Sequence, residues 1–263
     1  MNSNNPFDVH GIEHLSPSSI NSFLDDKAMW IMRYLFGYKN GGGPAMWRGS
    51  AVDRGIGAYF GYEETPHSEE QSLHLVESQY TGYKAECEYN YPEQEINLNK
   101  YLEEKTKLQR YFKTALDFYD DLGQPTDYQK KIELQLPDLP VPIIGFIDLQ
   151  YGDTIRDIKT TARTPSKVFE GHARQVSVYA QAMNCVPILD YIVVTAKDQK
   201  VVSHTVRNVQ KYIETVEQIA YSIMQFLSYS NDKYELANGC YPNIDDWKWG
   251  EDEINFAKQI WRI

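Results

Sequence analysis

Two strand-like runs separated by only two residues constrain this chain more than any other feature. Residues 143–151 carry Ile143, Ile144, Phe146, Ile147 and Leu149, apolar on both faces, and residues 154–160 follow directly after Gly152-Asp153. Glycine first in a two-residue loop suits a type II′ hairpin turn. With that turn Tyr151 faces Thr154, and counting back sets Asp148 directly opposite Asp157. Opposed residues on one sheet face have Cβ atoms ~4.5–5.5 Å apart, and like charges so placed repel. A divalent cation between them removes that cost, because hard cations favour carboxylate oxygens. Lys159 lies two residues after Asp157 and so shares its face. Two acids and an amine on one surface can hold Mg²⁺, orient or deprotonate a water and offset charge developing on a phosphate. A solvated Asp–Lys ladder on a surface hairpin fits the same register. Against it, Asp148 belongs to a strand apolar on both faces, where an isolated acid needs a partner.

The rest of the chain supplies helices around these strands. Ser16 suits an N-cap and Pro17 the first helical position. Leu15 and Ile20 then form a hydrophobic staple, and Phe23, Leu24, Ala28 and Ile31 continue one helical stripe that ends before Gly37. A second helix is predicted over 47–59, beyond the loop Gly41-Gly42-Gly43-Pro44. Residues 68–121 repeat apolar positions at three- and four-residue steps and read as a helical insertion. Ile132, Leu134 and Leu136 alternate as a first strand. After the hairpin come a helix opened by Pro165 and running to about Asn184, a strand at 192–194, a strand at 201–206 and a long helix over 209–228. The order predicts an α/β core with helical additions.

Composition narrows the class of protein. With 42% hydrophobic and 13% aromatic residues in 263, the chain has ample material for a core. Cys87, Cys185 and Cys240 are far apart and show no metal-binding spacing, so neither zinc nor a disulfide framework is expected. The polar N-terminus lacks a signal pattern and no apolar run approaches the ~20 residues that span a bilayer. The expectation is a cytoplasmic protein with no membrane partner. A formal net charge of −11 opposes nonspecific binding to nucleic acid, unless basic groups are concentrated locally.

The ordered set Gly145-Phe146-Ile147-Asp148, then Asp157-Ile158-Lys159-Thr160, then Gln175 and Tyr179 on the next helix, resembles the RecB-like branch of the PD-(D/E)XK nucleases. Its pattern is G-x-x-D, a short hairpin, D/E-x-K-T and Q-x-x-x-Y. The resemblance covers about residues 15–206 in element order, with the motif residues between 145 and 179. Relatives of this kind include phage exonucleases resembling lambda exonuclease and bacterial recombination nucleases. The resemblance implies a restriction-endonuclease-like αβββαβ core with a mixed sheet. It also implies a single nuclease domain over 1–263, made of N-terminal helices with the first motif (15–60), the insertion (68–121), the catalytic core (129–206) and a C-terminal helical region (208–263). Asp148 and Asp157 would be metal ligands, with the Ile158 backbone carbonyl a third, and Lys159 would position the attacking water. Gln175 and Tyr179, four apart on one helix face, would act near the scissile phosphate or the lysine; ordinary helix packing is their alternative. The family's first motif, G-x-x-x-H, is matched by Gly49 to Asp53, so an acid stands where a histidine is usual. Asp53 is acceptable to Mg²⁺ and would be a further ligand, unless it is a surface acid paired with Arg48 or Arg54. Glu133 on the first strand is a weaker candidate ligand. The iron–sulfur cluster of some relatives needs four cysteines, one more than this chain has, and none is expected.

The implied function is a Mg²⁺- or Mn²⁺-dependent deoxyribonuclease, an exonuclease of recombination, repair or phage DNA processing. If phage-encoded, it would work in the host cytoplasm. Expected partners are DNA, as linear ends or single strand, and a recombination partner protein. The alternative is a catalytically weakened nuclease fold that binds DNA or protein. Arg163, Lys167 and Arg174, with Arg156 and Lys159 nearby, form one local basic group; Arg48 belongs to a second, with Lys27, Arg33, Lys39 and Arg54. Arg48, Arg163, Lys167 and Arg174 are the candidate DNA contacts. Trp30, Tyr34, Phe36, Tyr38 and Trp47 interleave with the second group and fit either base stacking or a core.

Overall fold

The structure is a computed structural model that describes residues 5–62, 65–246 and 248–263. Its centre is a five-stranded sheet of β1 (Asp127–Leu134), β2 (Ile143–Tyr151), β3 (Thr154–Thr161), β4 (Val186–Val194) and β5 (Gln199–Thr205), ordered as in the sequence. Neighbours are antiparallel except β3 and β4, which are parallel. The parallel pair requires a crossover, and α8 (Glu170–Met183) provides it. This is the mixed sheet and αβββαβ order expected of a restriction-endonuclease-like fold.

Before the sheet come α1 (Pro6–Val9), α2 (Pro17–Asp25), α3 (Lys27–Tyr34), α4 (Pro44–Tyr59), α5 (Glu69–Asn90), α6 (Leu98–Lys105) and α7 (Leu108–Leu122); after it come α9 (Val209–Ser228), α10 (Lys233–Asn238) and α11 (Glu251–Trp261). Ser16 caps α2 in a reciprocal capping box with Ser19, and Leu15 and Ile20 of the staple are both fully buried. Leu15 also extends the sheet, donating its N–H to Pro142 and accepting from Ile144 at 2.8 Å. The predicted single N-terminal helix is two. Asp26 takes an extended conformation (φ −156°) and its carboxylate caps the new start through Met29 N–H at 3.0 Å.

Other boundaries moved for readable reasons. Helix α4 starts at Pro44 rather than Trp47, because proline is favoured at N1. Helix α8 starts five residues after Pro165, with no side-chain cap at Phe169, and ends where Asn184 turns left-handed (φ 52°). Strand β1 begins at Asp127 instead of near Ile132. Strand β4 is nine residues long, although only its last three looked like a strand. The earlier part contains Pro187 and Asp190, and Asp190 is fully buried because Arg156, Ser203 and Tyr119 all donate to it.

Apolar clusters cover both faces of the sheet. On one, Ile143, Ile147 and Ile155 meet residues of α2, α3, α8 and α9; on the other, Leu149, Ile158 and Ile192 meet α4, α5 and α7. Trp30, Trp47 and Tyr38 are core residues, which settles the N-terminal aromatics as packing. Phe146 is the exception to the two-sided burial expected of β2: it is half exposed. No helix among the described residues is long and apolar enough to cross a membrane.

Helix α4 is docked by a buried cation. Arg48 is 4% exposed and donates to Thr160 Oγ1 (3.1 Å), to the Thr160 carbonyl (3.0 Å) and to Glu104, itself 1% exposed. Its guanidinium also lies over the Tyr111 ring at 4.4 Å. Lys100 adds a second cation to Glu104 at 2.7 Å. Burial raises the Glu104 pKa, but Lys100 and Arg48 outweigh it and hold the carboxyl below its ordinary value. Removing one partner of a buried pair leaves an uncompensated charge, at a cost of about 3–5 kcal/mol. Glu104→Ala should therefore lower the unfolding free energy by about that much in guanidinium titrations. A loss under ~1 kcal/mol would mean that the pair does not hold α4.

Candidate active site

The hairpin register holds from Tyr151↔Thr154 to Leu149↔Arg156 and then stops one pair short of Asp148 and Asp157. Gly152 takes the positive φ (57°) of the predicted turn. Beyond Arg156, β3 stays paired with β4 as far as Thr161↔Val193, while β2 stays with β1. The sheet thus opens into a fork. Asp148 occupies it: Oδ2 accepts the Ile158 N–H at 2.7 Å, in place of the expected direct opposition to Asp157. Ile158 is therefore tied to the cluster by its amide.

Asp157 is 2% exposed, and neither of its carboxylate oxygens accepts an aligned hydrogen bond. Lys159 Nζ stands 2.7 Å from Asp157 Oδ2 as an ion pair. Burial by itself would lower the Lys159 pKa, but the charges of Asp157 and Asp148 reverse this and hold the ammonium above its ordinary value. The Asp148 pKa is raised well above the carboxylate range by burial, then by repulsion from Asp157 and Asp53.

Asp53 arrives from α4. Gly49 is one helical turn earlier on the same face, and a Cβ there would sit 3.3 Å from Thr160 Oγ1. The Arg48 anchor therefore aims Asp53 at the sheet as well. Asp53 Oδ2 accepts from Tyr128 OH and from Gln129 Nε2, both at 3.0 Å, while Oδ1 is buried without a partner. Gln129 Nε2 also donates to Asp148 Oδ1 at 3.2 Å, so one amide joins two acids. The β1–β2 ladder skips this position, passing from Tyr128↔Leu149 to Lys130↔Ile147, and Gln129 is left-handed (φ 47°).

On the α8 side, Gln175 Nε2 donates to Tyr179 OH at 2.8 Å. Tyr179 is buried, and its hydroxyl pKa is raised by burial and then by Asp157. Gly145 is what admits it: a Cβ there would meet the Tyr179 ring at 2.4 Å.

The structure thus gathers Asp53, Asp148, Asp157, Lys159 and Tyr179, and ties Gln175 to the last. Glu133 stays outside. It is exposed and paired with Ile144, at the far end of β1 from Tyr128↔Leu149. Arg48 is spent on docking α4. Arg174 is 8% exposed and donates to Asn21 at 2.6 Å, tying α8 to α2. Arg163 and Lys167 are exposed on the segment between β3 and α8. Tyr128 and Gln129 were not foreseen, and no local pattern marks them; strand parity pointed along β1 to Glu133 instead.

Buried acceptors without donors are costly; Asp53 Oδ1 and Asp157 Oδ1 are two such atoms, and Asp157 Oδ2 beside them faces the Lys159 ammonium. A hard divalent cation fits their chemistry. Among the described residues, no three His, Cys, Asp or Glu side chains are gathered tightly enough to form a ready metal cage. Asp53 is drawn to Tyr128 and Gln129, and an ion would compete with those donors.

Burial, partly offset by the Tyr128 hydrogen bond, pushes the Asp53 pKa up to about 7. An unfolded aspartate titrates near ~3.9. A raised folded-state pKa gives stability that is present below the unfolded value and is lost as pH climbs through about 7. Metal-free protein should lose stability over that window, and Asp53→Asn, which keeps the raised Asp148, should lose less. In EDTA, the variant should gain about 3 kcal/mol on wild type between roughly pH 4.5 and pH 8. Parallel stability curves in chemical denaturation would count against the raised pKa.

The comparisons agree with this fold. The crystal structure of a "Putative exonuclease" from Eubacterium rectale has the same fold, with a TM-score of 0.55 at 14% identity over 97% of this chain and 92% of that one. The crystal structure of SSO0001 is more distant, with a TM-score of 0.32 at 13% identity over 76% of this chain and 85% of that one, and carries no argument. No curated protein matches. The family model of the PD-(D/E)XK nuclease superfamily matches residues 14–241, and the chain belongs to that superfamily.

Proposed function

We propose that the protein is a Mg²⁺- or Mn²⁺-dependent deoxyribonuclease of the RecB-like, lambda-type branch, working as one domain and cutting DNA from its ends in recombination, repair or phage DNA processing. The observation that carries this reading is the buried Asp157 carboxylate, with Oδ1 unpartnered and Oδ2 paired with Lys159, at a fork in the sheet that Asp148 also enters. The exonuclease name of the Eubacterium rectale neighbour agrees with it.

Asp148, Asp157 and Asp53 would hold the cation, with the Ile158 carbonyl as a further oxygen. A cation so held supplies Lewis acidity and positive charge at a phosphate oxygen. Lys159 donates to the attacking water or the phosphate and offsets charge as it develops. Gln175 and Tyr179 pack along this group and fix where the ammonium can reach. Arg163 and Lys167, exposed just after β3, meet the phosphates that flank the cut.

Asp148→Asn, Asp157→Asn and Lys159→Ala should each cut hydrolysis of labelled linear DNA by about 10²–10³-fold or more, with far-UV circular dichroism unchanged. Near wild-type cleavage by any of the three would reject the assignment. Arg163→Ala and Lys167→Ala should weaken DNA binding evenly across sequences and lower the salt slope by about one ion each. Affinity measured against salt, with Ca²⁺ in place of Mg²⁺, reads this directly; unchanged slopes would route the DNA elsewhere.

A further inference from the structure

A cleft of about 580 Å³ opens beside Asp53, and its walls include Arg54, Tyr62, Tyr83, Tyr128 and Gln129. Three tyrosines at the mouth of an acidic cluster are unusual, and each comes from a different part of the chain. Tyr62 follows α4, Tyr83 is on α5 of the helical insertion and Tyr128 is the second residue of β1. All three are partly exposed. Tyr62 and Tyr128 stack on each other, with centroids 5.5 Å apart and planes at 27°.

Two of these rings, Tyr62 and Tyr128, are held in place. The Tyr128 hydroxyl donates to Asp53 and the Tyr62 hydroxyl to the Pro125 carbonyl. Gly57 lets Tyr128 lie against α4, since a Cβ there would meet the ring at 2.3 Å. A fixed aromatic wall loses little entropy when a flat ligand stacks on it. The cleft has the volume of a small-ligand site, and Asp53, with one oxygen unpartnered, belongs both to it and to the acidic cluster.

We infer that this cleft is a subsite for one unpaired nucleobase, next to the phosphodiester bond that the acidic cluster addresses. The inference rests on the nuclease reading and deepens it. Aromatic faces take any base, so the subsite selects for an unstacked nucleotide rather than a sequence. The substrate strand is therefore single or frayed where it crosses Asp53, and a fully paired duplex interior does not fit.

The test uses the full chain and single-stranded oligodeoxynucleotides carrying one abasic position, moved stepwise along the strand. With Lys159→Ala protein in Ca²⁺, affinity should fall about tenfold when the abasic position is the one that enters the cleft, and little elsewhere. Wild type in Mg²⁺ should show the same dip in kcat/KM at one position beside the cut. Tyr83→Ala should lose about tenfold on intact DNA and show no further loss on the abasic strand, while Tyr83→Phe keeps the wild-type pattern. If Tyr83→Ala fails to fold, the abasic series alone decides. An abasic series flat in both binding and cleavage overturns the subsite and leaves the nuclease reading standing. A dip in binding with no cleavage by wild type supports the subsite and sinks the nuclease reading.

Discussion

The hydrogen bond from the Ile158 amide to Asp148 Oδ2 is the contact on which the centre of this molecule turns. A strand amide ordinarily finds a carbonyl on the neighbouring strand. Here β2 and β3 part after Leu149↔Arg156, and the amide would be left without an acceptor. A carboxylate takes the carbonyl's place. It satisfies the backbone and, by the same act, plants a charge between two strands. Repulsion from Asp157 and Asp53 follows, and Lys159 is drawn in to answer it. Substituting Asp148 therefore touches both the integrity of the sheet and its chemistry.

A second constraint acts from the other side. Asp53 is useful only if α4 sits at one height and rotation over β3. Arg48 fixes the height through Thr160, and Gly49 permits the approach. The threonine of the D-x-K-T pattern is thus a docking point for the helix that carries the first motif. Two motifs joined by a contact across 112 residues of sequence are one mechanical unit. The insertion of α5, α6 and α7 supplies Glu104 and Tyr111, which complete the cage around the guanidinium.

Sequence reading reached what local rules encode. The Gly152-Asp153 turn, the Ser16 cap and the bounds of β2 and α9 all rest on short-range chemistry, and the structure has them. The ordered family pattern singled out Asp53, Asp148, Asp157, Lys159 and Tyr179, and the fold brings these side chains to one place. Sequence reading failed where a polar side chain is made apolar in effect by a distant partner. Asp190 broke the apparent strand β4, yet sits buried under Arg156. Arg48 and Arg174 look like groups for phosphate, but their partners Glu104 and Asn21 lie far along the chain. Trp30 and Trp47 looked equally fit for stacking or for packing, and only the fold distinguishes the two. The departure of Asp148 from exact pairing was also invisible, since a turn fixes register near itself and says nothing about where two strands separate.

Gln129 carries a consequence of its own. A left-handed backbone inside a strand is costly for any residue with a Cβ, about 1–2 kcal/mol, and Asn or Gly tolerates it better than Gln. The chain nevertheless has Gln there, at φ 47°. Asn is one methylene shorter, and Gly has no amide at all. Only the longer side chain spans from β1 to Asp53 and Asp148 together. Reach has outweighed backbone comfort at this position, and what it spans is the gap between Asp53 on α4 and Asp148 on β2. Across relatives of this chain, the residue at this place should therefore vary with the first-motif side chain it meets: long and amide-bearing where that side chain is an acid, and free to shorten where a bulkier imidazole closes the distance itself.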